Sequence, residues 1–191
     1  MWSMKLRLRP LEFTFIISII FLLLGATPAA ASTTTLSAPT LIALANKDRL
    51  SQGLGGLEED PTLSAVAQTK ADDMAKRGYF SHISPDGNEP WYFLKAAGYT
   101  YSHAGENLAL NFNSSTATED AWMQSPGHRA NILKPVYTKA GVGIAYGLKD
   151  GKPAIFVVEF FATPFTSSKN TSVQLSQRKL ATKSLLAMKT K

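Results

Sequence analysis

The 191-residue chain is 45% hydrophobic and has no cysteine, a composition that supports a globular core and excludes disulfides, cysteine zinc ligands and thiol catalysis. Its net charge of +6 sits at the two ends: residues 1–31 hold three basic and one acidic residue, 32–165 hold eleven basic and thirteen acidic, and 166–191 hold six basic and none acidic. A basic footprint confined to the ends excludes a domain that reads nucleic-acid grooves.

Lys5, Arg7 and Arg9 precede an apolar run from Phe13 to Leu24, and Ala29, Ala30 and Ala31 follow it, the pattern of a secretory signal peptide over residues 1–31. The run falls short of the about 20 apolar residues of a membrane span. Cleavage near Ser32 and a secreted or extracellular location, with periplasm or cell envelope included, are therefore expected. A Ser/Thr/Ala/Pro linker covers 32–40, and one domain is expected over 41–165.

Leu41, Ile42, Leu44, Ala45 and Leu50 recur at helical spacing, and Gly53 closes the run. Asp60-Pro61 then reads as an N-cap with proline at the first helical position, opening a helix whose stripe is Leu63, Val66, Ala67, Ala71 and Met74 and whose stop is Gly78. After the turn Ser84-Pro85-Asp86-Gly87, Asn88 is the expected cap of a short helix through Trp91, Phe93 and Leu94, ending at Gly98. Tyr99 to Leu110 has no clear period. Thr116 or Thr118 is the expected cap of a helix containing Trp122, interrupted by Pro126-Gly127 and resumed from Arg129 to Leu133. Lys139 to Tyr146 and Ala154 to Phe161 read as two antiparallel strands joined by a hairpin loop at Lys149-Asp150-Gly151-Lys152. Helices followed by a terminal hairpin predict an α+β fold. In the Ser/Thr/Lys-rich tail, 166–191, Leu175, Leu180 and Leu185 stand five apart and share no helical face, so it is expected to be disordered.

All three histidines, His82, His103 and His128, lie in polar, glycine-rich sequence expected to form loops, where binding groups concentrate. Two neutral imidazoles, one carboxylate and a water would satisfy a tetrahedral zinc site, with Glu106 as the carboxylate. The alternative is that each is a partly buried, hydrogen-bonded structural histidine. No HExxH pair, GxSxG elbow or P-loop lysine is present. Gly141-Val-Gly143-Ile-Ala-Tyr-Gly147 misses the dinucleotide spacing by one residue and lies within a strand, so close backbone packing accounts for it better.

Four strings occur in order: Tyr79-Phe-Ser-His82, Gly105-Glu-Asn-Leu-Ala109, Trp122-Met-Gln-Ser-Pro-Gly-His-Arg-Ala-Asn-Ile-Leu133 and Gly141-Val-Gly-Ile144. Together they resemble the bacterial SCP-type branch of the CAP superfamily, which unites cysteine-rich secretory proteins, venom allergens and plant pathogenesis-related proteins. The resemblance runs from about Leu41 to Pro164 and implies a three-layer α-β-α sandwich with a small antiparallel sheet. It also implies a central cavity where two histidines and two acidic residues can hold a divalent ion, often zinc. His82 and His128 match the histidine positions and Glu106 the first acidic one. The second usually follows the tryptophan, where this chain has Gln124-Ser125. Glu119, one helical turn before Trp122, is the substitute acid if it faces the cavity, although the helix dipole also favours an exposed glutamate there. His103 has no counterpart. Arg129 and Asn131 read as structural, Trp122, Tyr137 and Phe160 as core, and Glu159, between Val158 and Phe160, as solvent-facing by alternation.

The resulting expectation is a secreted, non-catalytic CAP-domain protein with no organic cofactor, modest affinity for a divalent ion such as zinc, and a groove for a lipid or envelope component. The alternative is a metal-dependent hydrolase of peptide or cell-wall substrates, with Glu106 and His128 as catalytic groups. The basic tail, free of acids, suits contact with anionic surfaces.

Overall fold

A computed structural model describes residues 35–165. The leader at 1–31 and the tail at 166–191 lie outside the described residues. In chain order the elements are α1 (Ala38–Ser51), β1 (Glu58–Glu59), α2 (Pro61–Arg77), α3 (Pro90–Ala96), β2 (Tyr101–Leu110), α4 (Ser115–Gln124), α5 (Pro126–Ile132), β3 (Lys139–Lys149) and β4 (Lys152–Pro164).

Helix α1 begins three residues before Leu41, within the stretch whose composition reads as linker, because Pro39 falls in the first turn, where no N–H is lost. Helix α2 starts and stops where its sequence signals place it. Asp60 accepts hydrogen bonds from the backbone N–H groups of Thr62 and Leu63, and Gly78 takes the left-handed conformation at φ 71°.

Two caps differ from expectation. Asn88 does not cap α3; Glu89 precedes it in an extended conformation that Pro90 enforces on its neighbour, and it makes no side-chain cap bond. Helix α4 is capped by Ser114, whose hydroxyl accepts from the Ala117 N–H, two residues earlier than Thr116. The choice is tertiary: Thr35 bridges to Ser114, and the Ser115 hydroxyl takes the Ser37 N–H and donates to the Thr35 carbonyl.

The sheet order is β1-β3-β4-β2, with β1 parallel to β3 and the other pairs antiparallel. The stretch from Tyr99, without a clear period, supplies edge strand β2. Asp150 and Gly151 both take positive φ, 52° and 74°, as a two-residue turn of I′ type requires between β3 and β4.

Both faces of the sheet are covered. On one, Phe156, Val158, Phe160 and Ala162 of β4 pack with Leu63, Ala67, Ala71 and Met74 of α2 and with Phe93 and Leu94 of α3. On the other, Val157 and Phe161 join Leu41, Ile42 and Ala45 of α1, Trp122 of α4 and Ile132 of α5. Helices on either side of a sheet make the α+β, three-layer architecture. Trp122, Tyr137 and Phe160 are core residues, each at most 2% exposed.

The glycines of β3 set the spacing of α2 against the sheet. A Cβ on Gly141 would stand 2.2 Å from the Ser64 nitrogen, and one on Gly143 would stand 2.2 Å from the Gln68 nitrogen. The helix backbone therefore lies on the strand, and the glycine run is a packing device. Gln68 completes the contact: its side-chain amide donates to the Ile144 carbonyl and accepts from the Ile144 N–H. Gly143→Ala is expected to lower unfolding free energy by about 3 kcal/mol or more. Gly55→Ala, at a site with nothing within 4 Å, serves as the near-neutral control in urea titrations.

Candidate functional site

Three parts of the chain meet at β2, the outer strand of the sheet. Alternation along β2 sends Glu106 to the α2 side, in register with Phe160, and Asn107 to the opposite side, in register with Glu159. The loop after α2 brings His82 to Glu106, and the short helix α5 brings His128 from the other layer. His82, Glu106 and His128 line one open cleft of about 490 Å³, which Lys134 and Tyr137 also border.

The shortest contact in the cleft is between His82 Nδ1 and Glu106 Oε1, at 2.6 Å. The two side chains differ in environment: that of Glu106 is 2% exposed and that of His82 is 53% exposed. A buried carboxylate thus fixes the orientation of an imidazole whose other nitrogen is free to face the cleft. Burial holds the Glu106 carboxyl above its ordinary value of 4.5, against the opposing pull of the His82 hydrogen bond and of Lys70. Its second oxygen, Oε2, is buried without a hydrogen-bond partner among the described residues. His128 is held below its ordinary 6.5, first by burial and then by the neighbouring charge of His82.

Residues beyond the three that line up in the motifs build this site, and of these Lys70 was not anticipated from the sequence. The ammonium of fully buried Lys70 donates to the His82 carbonyl at 2.9 Å and to the Tyr79 hydroxyl at 3.2 Å, and so anchors the loop that carries the imidazole. Burial pushes it below its ordinary value, while Glu106 and Asp73 pull it back. The signal was available: Lys70 stands on the apolar face of α2, between Ala67 and Met74. The Asn131 amide donates to the Glu106 carbonyl at 3.1 Å and to Asn107 Oδ1 at 3.0 Å, while the Asn107 amide donates to the His128 carbonyl. These bonds hold α5 against β2. The Tyr137 hydroxyl donates to the Ala104 carbonyl, and a Cβ on Gly105 would come within 2.5 Å of that hydroxyl. The glycine before Glu106 leaves room for this contact.

Asn131 has the structural role expected of it. Arg129 is exposed and forms no ion pair with the described residues. Of the three histidines expected in loops only His82 is in one, since His103 lies in β2 and His128 in α5; His103 is exposed beside Ser102 and is not part of the cleft lining.

Glu119 and Glu159 depart from expectation. Glu119 does not line the cleft, and Glu159 does not face solvent: they are 3% and 0% exposed, and among the described residues none of their four carboxyl oxygens has a hydrogen-bond partner of good geometry. Alternation along β4 holds, but the face it assigns to Glu159 is covered by α1, α4 and α5. Burial, with Asp48 and then Asp120 adding repulsion, pushes the Glu119 carboxyl up to about 8. Burial, then Glu119, pushes Glu159 well above 4.5, against a weaker opposing pull from Asn107.

A zinc ion would find suitable donors in the two imidazoles. Among the described residues, however, no group of three or more His, Asp or Glu side chains is arranged to hold a metal ion. Glu106 instead bonds His82, as a carboxylate behind a ligating histidine does. The donors that the cleft assembles are thus the two imidazoles, with the carboxylate orienting one of them.

Residues 42–160 match the profile of CAP, the Cysteine-rich secretory protein family. The chain belongs to that family, in its bacterial branch. It is 41% identical over 126 residues to the uncharacterized protein YkwD of Bacillus subtilis (strain 168), a match covering 61% of this chain and 49% of YkwD. An extracellular protein containing a SCP domain from Bacillus anthracis str. Ames superposes with a TM-score of 0.56 at 28% identity, over 66% of this chain and 40% of that one. An outer surface protein from Borrelia burgdorferi shares the fold at a TM-score of 0.57 and 23% identity, over 66% and 92% of the two chains. The CAP chain thus spans about half the length of YkwD and less than half that of the Bacillus anthracis protein. Among its described residues no helix is long and apolar enough to cross a membrane.

The buried acids of this CAP domain predict a pH dependence. Because the Glu119 carboxyl titrates near 8 when folded, against an ordinary 4.5, the folded state holds that proton more tightly than the unfolded chain. Its stabilising effect is complete below about pH 4.5 and is lost as pH rises through about 8, a change on the order of 5 kcal/mol. Glu159 acts in the same direction. Urea midpoints between pH 5 and 8.5 are expected to fall, and the fall is expected to flatten in Glu119→Gln.

Proposed function

We propose that this CAP-domain protein is exported and works as a non-catalytic binding protein at the cell envelope, with the cleft of His82, Glu106 and His128 as its ligand site. The observation that carries this reading is the 2.6 Å pair of buried Glu106 and exposed His82, set in one cleft with a second imidazole. A carboxylate withdrawn from water to orient an imidazole costs desolvation that packing alone does not require. The extracellular character of the similar Bacillus anthracis protein and the leader composition support export.

His82 and His128 are the residues that would hold a divalent ion such as zinc, and the ion would supply a Lewis-acidic centre for an anionic ligand group. Glu106 fixes the His82 ring and strengthens its cleft-facing nitrogen as a donor. Calorimetric titration with zinc is expected to give heat that disappears in His82→Ala/His128→Ala. Glu106→Gln is expected to weaken the affinity by about ten- to a hundredfold without abolishing it. Unchanged heat in the double variant would remove the ion from the reading.

One observation favours a second reading, hydrolysis of peptide or cell-wall substrates: the Glu106 carboxyl is raised by burial and, among the described residues, one of its oxygens has no partner, as suits a group that takes up and returns a proton. Turnover of a peptide or peptidoglycan panel, lost both on chelation and in Glu106→Gln, would establish it. An inactive protein that still binds zinc would retire it.

A further inference from the structure

The cleft does not end at its own rim. Glu89 and Trp91 line it, and they also line a second, larger trough of about 630 Å³, so the two form one continuous surface. Beyond Trp91 the trough is walled by Tyr92, Tyr101 and Phe165, with Lys95 at its side. The Trp91 and Tyr101 rings lie 6.4 Å apart at a tilt of 46°. Tyr92 is 52% and Phe165 64% exposed. Such a gathering of aromatic surface beside a candidate site marks a place of contact.

Charge distinguishes among occupants. The trough carries one acid and one base, Glu89 and Lys95, beside the aromatic rings. An acyl chain laid there would offer no hydrogen bond to either of these exposed charged groups. A pyranose ring meets the same surface on better terms, because its polarised C–H face lies on the negative face of an aromatic ring while its hydroxyls reach carboxylate and ammonium. The cleft adds Lys134 and the imidazoles of His82 and His128; of its two carboxylates, Glu106 is buried with one oxygen on His82, and Glu89 stands at the border shared with the trough. That end therefore complements an acidic substituent.

We propose that trough and cleft form one extended site for a carboxylate-bearing glycan, with sugar rings on Trp91, Tyr92 and Tyr101 and the carboxylate at Lys134 and the imidazoles. This deepens, and rests on, the reading of the cleft as a ligand site.

The test is titration of the full chain with two tetrasaccharides of amino sugars, one neutral and one carrying lactyl carboxylates, followed by calorimetry. Phosphatidylcholine vesicles provide a third probe. The carboxylated glycan is expected to bind about fivefold or more tightly than the neutral one, which makes the cleft part of the site. Tyr92→Ala and Phe165→Ala, at exposed positions, are each expected to weaken both glycans by about three- to tenfold. Lys134→Ala is expected to weaken only the carboxylated glycan. Zinc heat, measured on the same samples, reports on the cleft separately. Failure of both glycans to bind in a chain that still gives zinc heat would overturn the glycan site and leave the cleft reading standing. Vesicle binding that falls in Tyr92→Ala and Phe165→Ala, with no glycan binding, would overturn it in favour of a lipid.

Discussion

Every residue of β4 from Phe156 to Ala162 is buried, and the rest of the architecture follows from that constraint. A strand with no solvent face must be covered twice, and period 2 divides its side chains between two cores. One core needs α2 and α3, the other α1, α4 and α5. Helix α2 approaches so closely that only glycine fits beneath it at Gly141 and Gly143. A single helix layer would leave half of β4 in water, and hydrophobic transfer at about 25 cal/mol per Å² would then work against the fold.

The same double coverage places the chemistry. Because β2 is the outer strand beside β4, its alternate residues reach toward both layers at the margin of the sheet, where the cores give way to solvent. Glu106 turns toward α2 and meets Lys70 and His82, while Asn107 turns the other way and meets the helix that carries His128. The cleft is therefore a seam between two layers, held by Lys70 on one side and Asn131 on the other. Lys70 holds the His82 carbonyl and Asn131 ties α5 to the Glu106 carbonyl, so the two anchors fix the loop and the helix that carry the imidazoles without engaging either ring.

Burial of charge is unevenly compensated. Arg49 is buried, but four carbonyls, those of Gly55, Ile132, Lys134 and Tyr137, receive its guanidinium. Glu119 and Glu159 have no such set of partners, and their carboxyls respond by holding protons to higher pH. The contrast follows from donor and acceptor numbers. A guanidinium offers five N–H groups to the carbonyls that loops leave over, whereas a buried carboxylate needs donors, and most donors in a sheet core are already engaged in the ladder.

The sequence by itself determined the family, the start and stop of α2, the hairpin turn and the three side chains of the cleft, because each rests on a local residue type: a cap, a proline, a left-handed glycine, a motif spacing. It did not determine the cap of α4, since Ser114, Ser115, Thr116 and Thr118 are all competent and only the contact with Thr35 and Ser37 chose among them. Nor did it determine the environment of Glu159. Alternation states correctly which face a strand residue takes, but whether that face meets water or three helices is a property of the packed layers. Lys70 falls between the two cases: its place on an apolar helical face was readable, but its partner, the carbonyl of His82, exists only after the following loop folds back over the helix.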